Sequence, residues 1–526
     1  MAATLTCYGA VGKIGGNKIL LEDGDARLFF DFGIDFDACG DYYNELLRPR
    51  PARGLLDPLA LGLIPPLEGL YRRDLELPPL WARMRGKPGY RNLTRPGGRP
   101  AADAVLLSHA HLDHDGDVSY LDERIPIVCS RTSAAIARAM QVTGQTSFER
   151  EMVFTSARSD KGGILESARG EEYRLRPFLF LEGGLAGEAR EFWEAAGSSS
   201  RKGMQSAAAD AFPGRAAGLA VRSWPVDHSI PGAVGYAVET SSGWIGYTGD
   251  IRFHGRRGGQ TRAFAGGLAA LHPRALLCEG THIESAAGPL REEQILERVI
   301  PILTRFAGKL AIADFSPRNV ERLQIFLEAA RRTGRTLLLQ PKDAYLLRAL
   351  HLVEPGTYPA PDSGSNVGLF DDPKAAPRAW ERETREGWRA PIVRAENVSE
   401  KPGDFILADS LWDLNDLPDL EGISGGVYLF SNSRAYDDEQ KADLDRLRNW
   451  VRWLGLELIG DPDDPHSPCL HASGHACGDE LAEFVRTVKP EILIPIHTEH
   501  PEWWEEKLTG SGIEIRKPEV GKSIVI

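Results

Sequence analysis

The chain has 526 residues, of which 42% are hydrophobic and 26% charged, with a formal net charge of −13. That length exceeds one ordinary core and implies two to four domains, or one domain inserted into another; the composition is that of a globular protein. No apolar run approaches the roughly 18 residues of a membrane span, and the acidic balance argues against a general nucleic-acid coat, though not against one local basic groove.

The first thirty residues do not read as a signal peptide, because Lys13 and Lys18 are followed by Glu22, Asp23 and Asp25 rather than by a continuous apolar stretch. A cytoplasmic location is expected. Cys7, Cys39, Cys129, Cys278, Cys469 and Cys477 form no CxxC pair, and they are expected to be small buried residues of a reducing compartment.

In chain order, "KILLEDGDARLFFDFG" is two apolar runs around Asp23-Gly24, a hairpin signal whose second strand ends near Asp31. Between Arg48 and Arg99 lies a basic, proline-rich insertion with Tyr71, Trp81 and Tyr90 interleaved. Its composition suits a surface that holds phosphates and stacks bases, or else a solvated charged face. "DAVLLSHAHLDHDGD" reads as a buried strand, a polar loop and then a helix. Strand-like runs follow at "RIPIVC", "AVGYAVET", "GWIGYTGD" and "RALLCEG".

From "GKLAIADF" onward, strands alternate with helices, the first helix starting near Asn319 and ending at Gly334. "TLLLQP", "DFILAD" and "GGVYLFS" continue the strands, and "DEQKADLDRLRNWVRWLG" is a further helix. This alternation predicts a parallel sheet covered by helices. Residues 183–218 and 355–390 read as loops or insertions from their Gly, Ala, Ser, Pro and Asp content. "EILIPIHTEH" is a last apolar strand that ends at a histidine.

Chemistry concentrates first in "SHAHLDHDGD", which supplies His109, His111, Asp113 and His114 within six residues of a chain that has only 13 histidines. Alternate residues of an extended loop face one way, so His109 and His111 can bind one ion while Asp113 and His114 face a second. Imidazole and carboxylate suit zinc or another borderline divalent ion. Four residues cannot fill two shells, and His228 and Asp250, each closing a strand-like run, are the natural partners. A carboxylate can bridge two cations, which is the role expected of Asp250.

Asp31, His109-x-His111-x-Asp113-His114, His228 and Asp250, in that order, resemble the metallo-β-lactamase superfamily, whose fold is an αββα sandwich with a two-metal site at one edge. Glu279 in "LLCEGTHIES", His475 in "LHASGHA" and His497 in "IPIHTE" then resemble motifs A, B and C of its β-CASP nuclease branch. There, a second α/β domain is inserted into the lactamase-like fold. The His-x-Ser-Gly-His form and "GKLAIADFSPRNVERLQ" are most similar to ribonuclease J.

The resemblance implies an α/β chain divided as 1–285, with insertions near 40–100 and 155–215, then an inserted domain over 286–465 and a return to the first over 466–526. It implies a metal-dependent ribonuclease, a 5′-to-3′ exonuclease on 5′-monophosphate RNA with endonuclease activity alongside. Two divalent ions, zinc foremost and manganese next, would be held by His109, His111 and His228 on one side and by Asp113, His114 and His497 on the other, with Asp250 between. Asp31 would orient a histidine ligand, and His475, held by Glu279, would protonate the leaving oxygen.

His471, Ser473 and Gly474 would hold a terminal phosphate; in the alternative reading, Ser473-Gly474 is a tight turn that delivers His475. Ser316, Ser431, Arg83, Arg85 and Arg91 are further expected RNA contacts. Single-stranded RNA is the expected substrate. A DNA nuclease of the same branch ranks second, because branch members acting on DNA usually lack a histidine equivalent to His497. A non-catalytic RNA-binding scaffold ranks below both, because all seven ligand positions are intact. Two departures stand out: the separate C-terminal domain of many relatives has no counterpart, so a homodimer is expected rather than a tetramer, and "YLFSNSRAYDDEQ" lacks the Pro-Ile-Pro-Gly that commonly follows its serines.

Overall fold

A computed structural model describes every residue except 1, 45, 197–201, 286–289, 317, 361–365, 372, 424 and 435–437. Two sheets face each other. The first, of eight strands, runs in the order Ala209–Ala211, Phe178–Phe180, Ile127–Cys129, Ala104–Leu106, Ala26–Phe32, Lys18–Asp23, Thr4–Cys7 and Ser523–Val525. The second, of seven strands, runs Arg215–Ala216, Leu219–Pro225, Val234–Thr240, Gly243–Tyr247, Ala275–Cys278, Ile492–Pro495 and Glu514–Ile515. Leu21, Leu28, Phe30 and Leu106 of one sheet meet Tyr236, Val238, Ile245, Leu277 and Ile494 of the other in a shared core.

Helices cover the outer faces. Phe264 and Leu268 of the helix Gly258–Ala269 and Leu481 and Phe484 of the helix Gly478–Val488 pack on the second sheet, and Ala135, Ile136 and Ala139 of the helix Arg131–Thr143 join the core outside the first. The result is the expected αββα sandwich. Burial on both sides explains why these strands read as apolar runs rather than alternating ones.

A third sheet is built from strands between Leu310 and Ile459. Its order is Ile392–Val393, Val367–Phe370, Thr336–Leu339, Phe405–Ala408, Leu310–Asp314, Gly426–Phe430 and Glu457–Ile459, and every pairing is parallel. Separate cores on its two faces mark an α/β unit inserted between Ala275–Cys278 and Ile492–Pro495, which are adjacent parallel neighbours in the second sheet. The helix after its first strand, Val320–Thr333, is capped by the Asn319 side chain and stops at Gly334, which takes the left-handed conformation, as the sequence pattern predicts.

Three expectations need correction. Residues 183–218 are not a loop: they hold the helix Gly187–Glu194 and the strand Ala209–Ala211. Likewise, 355–390 contains the strand Val367–Phe370 and the helix Ala379–Gly387. Part of the supposed 155–215 insertion supplies Phe178–Phe180 and Ala209–Ala211 to the main sheet. Strands of three or four residues are too short for periodicity to reveal. Among the cysteines, Cys7, Cys129 and Cys278 are buried, but Cys39 and Cys477 are partly accessible and Cys469 is exposed. No described helix is long and apolar enough to cross a membrane.

The carboxyl edge of the inserted sheet carries buried acids. Burial pushes Asp314 up to about 7, although Tyr428 Oη and Asn432 Nδ2 donate to it at 2.7 and 2.5 Å; Asp343 is likewise pushed up to about 7 by burial. The folded chain therefore holds protons that the unfolded chain releases above about pH 4, and these groups make stability fall as pH rises from about 4 to 7. Asp314→Asn should raise the thermal midpoint by roughly 2 °C or more at pH 8 and by much less at pH 4.5; equal shifts at both pH values would contradict this assignment.

Candidate metal centre

The loop after Ala104–Leu106 and the ends of three second-sheet strands converge at one edge of the sandwich. His109, His111, His228 and Asp250 form one group and Asp113, His114, Asp250 and His497 another, the ligand atoms of each lying within 4.8 Å of one another. In the first, His111 Nδ1 stands 3.1 Å from both His109 Nε2 and His228 Nε2, and Asp250 Oδ2 lies 3.6 and 3.7 Å from those two nitrogens. In the second, His114 Nε2 is 3.1 Å from Asp250 Oδ2, and His497 Nε2 is 3.2 Å from Asp113 Oδ2. Atoms bound about 2.0–2.1 Å from one ion at tetrahedral angles stand roughly 3.3 Å apart, so the spacing suits a small divalent metal.

Backbone geometry serves this convergence. Asp31 and His497 adopt left-handed φ of 55° and 51°, uncommon for residues with a Cβ. Gly33 lets the end of the Ala26–Phe32 strand pass the metal loop, since a Cβ there would stand 1.8 Å from the Asp113 carbonyl oxygen.

The ring nitrogens of His109, His114, His228 and His497 that face away from the centre are partnered. His114 Nδ1 donates to Asp31 Oδ2 at 2.6 Å, and that carboxylate also accepts from Ser108 N and Oγ and from Tyr247 Oη. His228 Nδ1 donates to the Gly474 carbonyl at 2.6 Å, and His497 Nδ1 pairs with Thr281 Oγ1 at 2.8 Å. His109 Nδ1 is 3.0 Å from Ser108 Oγ. These bonds fix the tautomer that leaves each Nε2 lone pair facing inward. His114 Nε2 and Asp250 Oδ1 are buried with no hydrogen-bond partner, as expected of atoms shaped for a cation.

Protonation agrees. Burial, reinforced by neighbouring histidines, holds His109 and His228 far below the usual imidazole range, in the neutral form that ligates a metal. His114 is held well above it, because Asp250, Asp113 and Asp31 outweigh the cost of burial; a divalent cation would take the place of that proton. The centre is one for divalent metal.

His475 stands beside it. Its Nδ1 lies 3.0 Å from Glu279 Oε2 and 4.0 Å from Asp250 Oδ2. Burial opposes its protonation, but Glu279 and then Asp250 outweigh this and hold it up at about 9. Glu279 is itself fixed by the Ile251 and Thr281 amides. A cavity of about 200 Å³ is lined by His111, His475 and His471 and, from the inserted unit, by Ser316, Asn319 and Asn432. It adjoins a second cavity of about 650 Å³ that shares His282, His471 and His475.

Residues 468–518, which carry His471, His475 and His497, match the family described as the Zn-dependent metallo-hydrolase RNA specificity domain. The chain is also similar to ribonuclease J of Sinorhizobium meliloti, at 27% identity over 53% of this chain and 46% of that one. Ribonuclease J of Corynebacterium glutamicum matches at 20% over 93% and 53%, and ribonuclease J 2 of Staphylococcus saprophyticus at 25% over 54% and 47%. The similarity is to ribonuclease J. The chain spans about half the length of these relatives. In fold it is similar along its whole length to a protein of unknown function from Enterococcus faecalis V583, with a TM-score of 0.65 at 20% identity.

Of the residues expected to contact RNA, Ser316, Ser431, His471, Ser473 and Gly474 line the smaller cavity, whereas the arginines lie elsewhere. Arg91 is committed to Glu22 at 2.8 and 3.0 Å and to Tyr8, and exposed Arg85 sits 3.4 Å from Glu68. Neither they nor Arg83 line the cleft at His111 and His475. Tyr71 is 1% exposed and stacked on Trp81 at 6.2 Å, which removes Tyr71 from the expected base-stacking surface, while Trp81 and Tyr90 are half-buried. Most leucines of the 48–99 segment, with Tyr71 and Met84, join the core outside the first sheet. Ser431 is buried, its hydroxyl spent on the Leu470 carbonyl and Arg322. Ser473 Oγ contacts His282 Nδ1 and the His475 backbone, so it serves the turn. His471 Nδ1 is buried without a partner, and burial pushes this ring down to about 4.

Missed in the sequence were Thr281 and His282, inside "EGTHIES", and Ser108, Tyr247 and Asn17, whose amide contacts His114 and Tyr247. No spacing rule marks them. Asp31→Asn should weaken metal binding by about 10- to 100-fold in a chelator competition; unchanged affinity would contradict the orienting role.

Proposed function

We propose that the chain is a metal-dependent ribonuclease that hydrolyses phosphodiester bonds of single-stranded RNA. The observation that carries this reading is the His475–Glu279 pair placed against the His/Asp cluster, in a cleft whose far wall belongs to the inserted unit. The match of 468–518 to an RNA specificity domain supports RNA over DNA. Two ions, zinc foremost, are the proposed cofactors, one held by His109, His111 and His228, the other by Asp113, His114 and His497, with Asp250 shared. When bound, they supply Lewis-acid charge for the phosphoryl oxygens and acidify water.

The residues of the chain do the rest. Asp31, Ser108, Thr281 and the Gly474 carbonyl hold the imidazoles in their donor tautomers. His475 bears a proton near neutral pH because Glu279 stabilises its imidazolium, and it delivers that proton to the leaving oxygen. Glu279 keeps the ring oriented. His471, neutral at pH 7, offers a buried ring nitrogen to a terminal phosphate at the cleft end; Ser473 and Gly474 contribute by shaping the turn. The proposed division is a core over 1–285 and 466–526 with an inserted unit over 286–465, whose first boundary abuts residues outside the described set.

His475→Ala should lower turnover by about 10²- to 10⁴-fold while metal content stays at the wild-type level. Matched 5′- and 3′-end-labelled RNA and DNA, each with a 5′-monophosphate or a 5′-triphosphate, would report it. Equal turnover of the variant and wild type would refute the acid role, and DNA consumed faster than RNA would overturn the proposed substrate.

A further inference from the structure

The segment after Asp250 touches the His475 loop at three points and Glu279, the partner of His475, at a fourth. The Ile251 amide donates to Glu279 Oε1 at 2.7 Å, and the Ile251 carbonyl accepts from the Ala476 amide at 2.8 Å. Arg252 Nη1 donates to the Ser473 carbonyl at 3.1 Å, where His254 Nε2 joins it at 2.9 Å. The loop fits tightly between these groups: a Cβ on Gly474 would stand 2.7 Å from Ser229 Oγ and 3.2 Å from His228 Cε1.

Arg252 is fully buried, and each of its nitrogens reaches a partner on a different element. Nε binds Asp227 Oδ1 at 3.0 Å, next to the ligand His228. Nη1 reaches Glu292 Oε1 at 3.2 Å, at the start of the helix Glu292–Arg305, and Nη2 reaches Glu321 Oε2 at 2.6 Å, on the helix Val320–Thr333. Glu292 is shared with Arg322, which donates to the Leu470 and Ser431 carbonyls at 3.0 and 2.6 Å. Two buried guanidiniums therefore grip the stretch 470–473 at both ends, and both are anchored on helices of the inserted unit. A planar five-donor group can span such partners at once, whereas an ammonium cannot.

We infer that Arg252 is a positioning residue for His475: it ties the seating of the inserted unit on the sandwich to the loop that presents the proton donor. The sandwich alone offers Asp227 but neither Glu292 nor Glu321, so Arg252 has all its anchors for holding the loop only when the helices Glu292–Arg305 and Val320–Thr333 are docked. The inference rests on the proposed role of His475 for its kinetic arm but not for its structural one.

Arg252→Lys, His475→Ala and the double variant, compared with wild type on RNA and by hydrogen–deuterium exchange, test it. Arg252→Lys should lower kcat at least about 10-fold with KM within about 2-fold and full metal content, and in the His475→Ala background it should change kcat by less than about 2-fold. Amides of 470–477 should exchange at least about 10-fold faster while 104–115 stay unchanged. Losses that multiply in the double variant, or unaltered exchange of 470–477, would overturn the inference. If wild type does not turn over RNA, the ribonuclease reading falls and the exchange result alone decides the role of Arg252. Should Arg252→Lys fail to fold, Glu321→Gln removes one anchor and should give the same pattern at about 3-fold or more in both readouts; no change in either would overturn it.

Discussion

One buried carboxylate organises the molecule. Asp250 belongs to every ligand group at the sandwich edge: it faces His109 and His228 on one side, His114 and His497 on the other, and His475 beyond them. It is 2% exposed, and one of its oxygens has no hydrogen-bond partner. A carboxylate so placed needs positive charge close by, because desolvation alone would push it toward its neutral form. Burial does act in that direction, yet the surrounding imidazoles hold its pKa far below the ordinary range. The donor set, its tautomers and its spacing all meet that need with divalent metal.

From this centre the order of the fold follows. The ligands come from strand ends and loops of the sandwich, which is stiff because both sheets are covered on their outer faces. The outer hydrogen bonds reach further: Asp31 fixes His114 through a left-handed backbone, and the Gly474 carbonyl fixes His228. Gly474 thus touches a metal-side histidine through its carbonyl and places His475, the next residue, beside the same centre. The Arg252 and Arg322 pair extends the same chain of contacts to the inserted helices, at the high cost that burying ions always carries unless every partner is present.

How much of this was legible depended on sequence distance. The apolar runs "KLAIAD", "TLLL" and "GVYLF" declared a parallel sheet because strands covered on both faces have no polar side. His109 to His114 were readable because four ligands within six residues are a local pattern. His228, Asp250 and His497 became readable only through their order and resemblance, since each alone is an ordinary strand-end residue. The expectation that Tyr71 stacks bases failed for a physical reason: arginines and aromatics have the same composition whether they face RNA or, like Tyr71 and Arg72, pack and pair inside the protein. The strands within 183–218 were too short to show a period. Arg252 was invisible because its partners lie 25 to 221 residues away and no spacing connects them.

We propose that Asp250 sits between two divalent ions. Anomalous diffraction from zinc-loaded crystals, collected on both sides of the zinc absorption edge, measures this most directly. Two peaks flanking Asp250, about 3.5–4 Å apart, with one among His109, His111 and His228 and the other among Asp113, His114 and His497, are the predicted result. A single peak, or ions bound away from Asp250, would contradict the account.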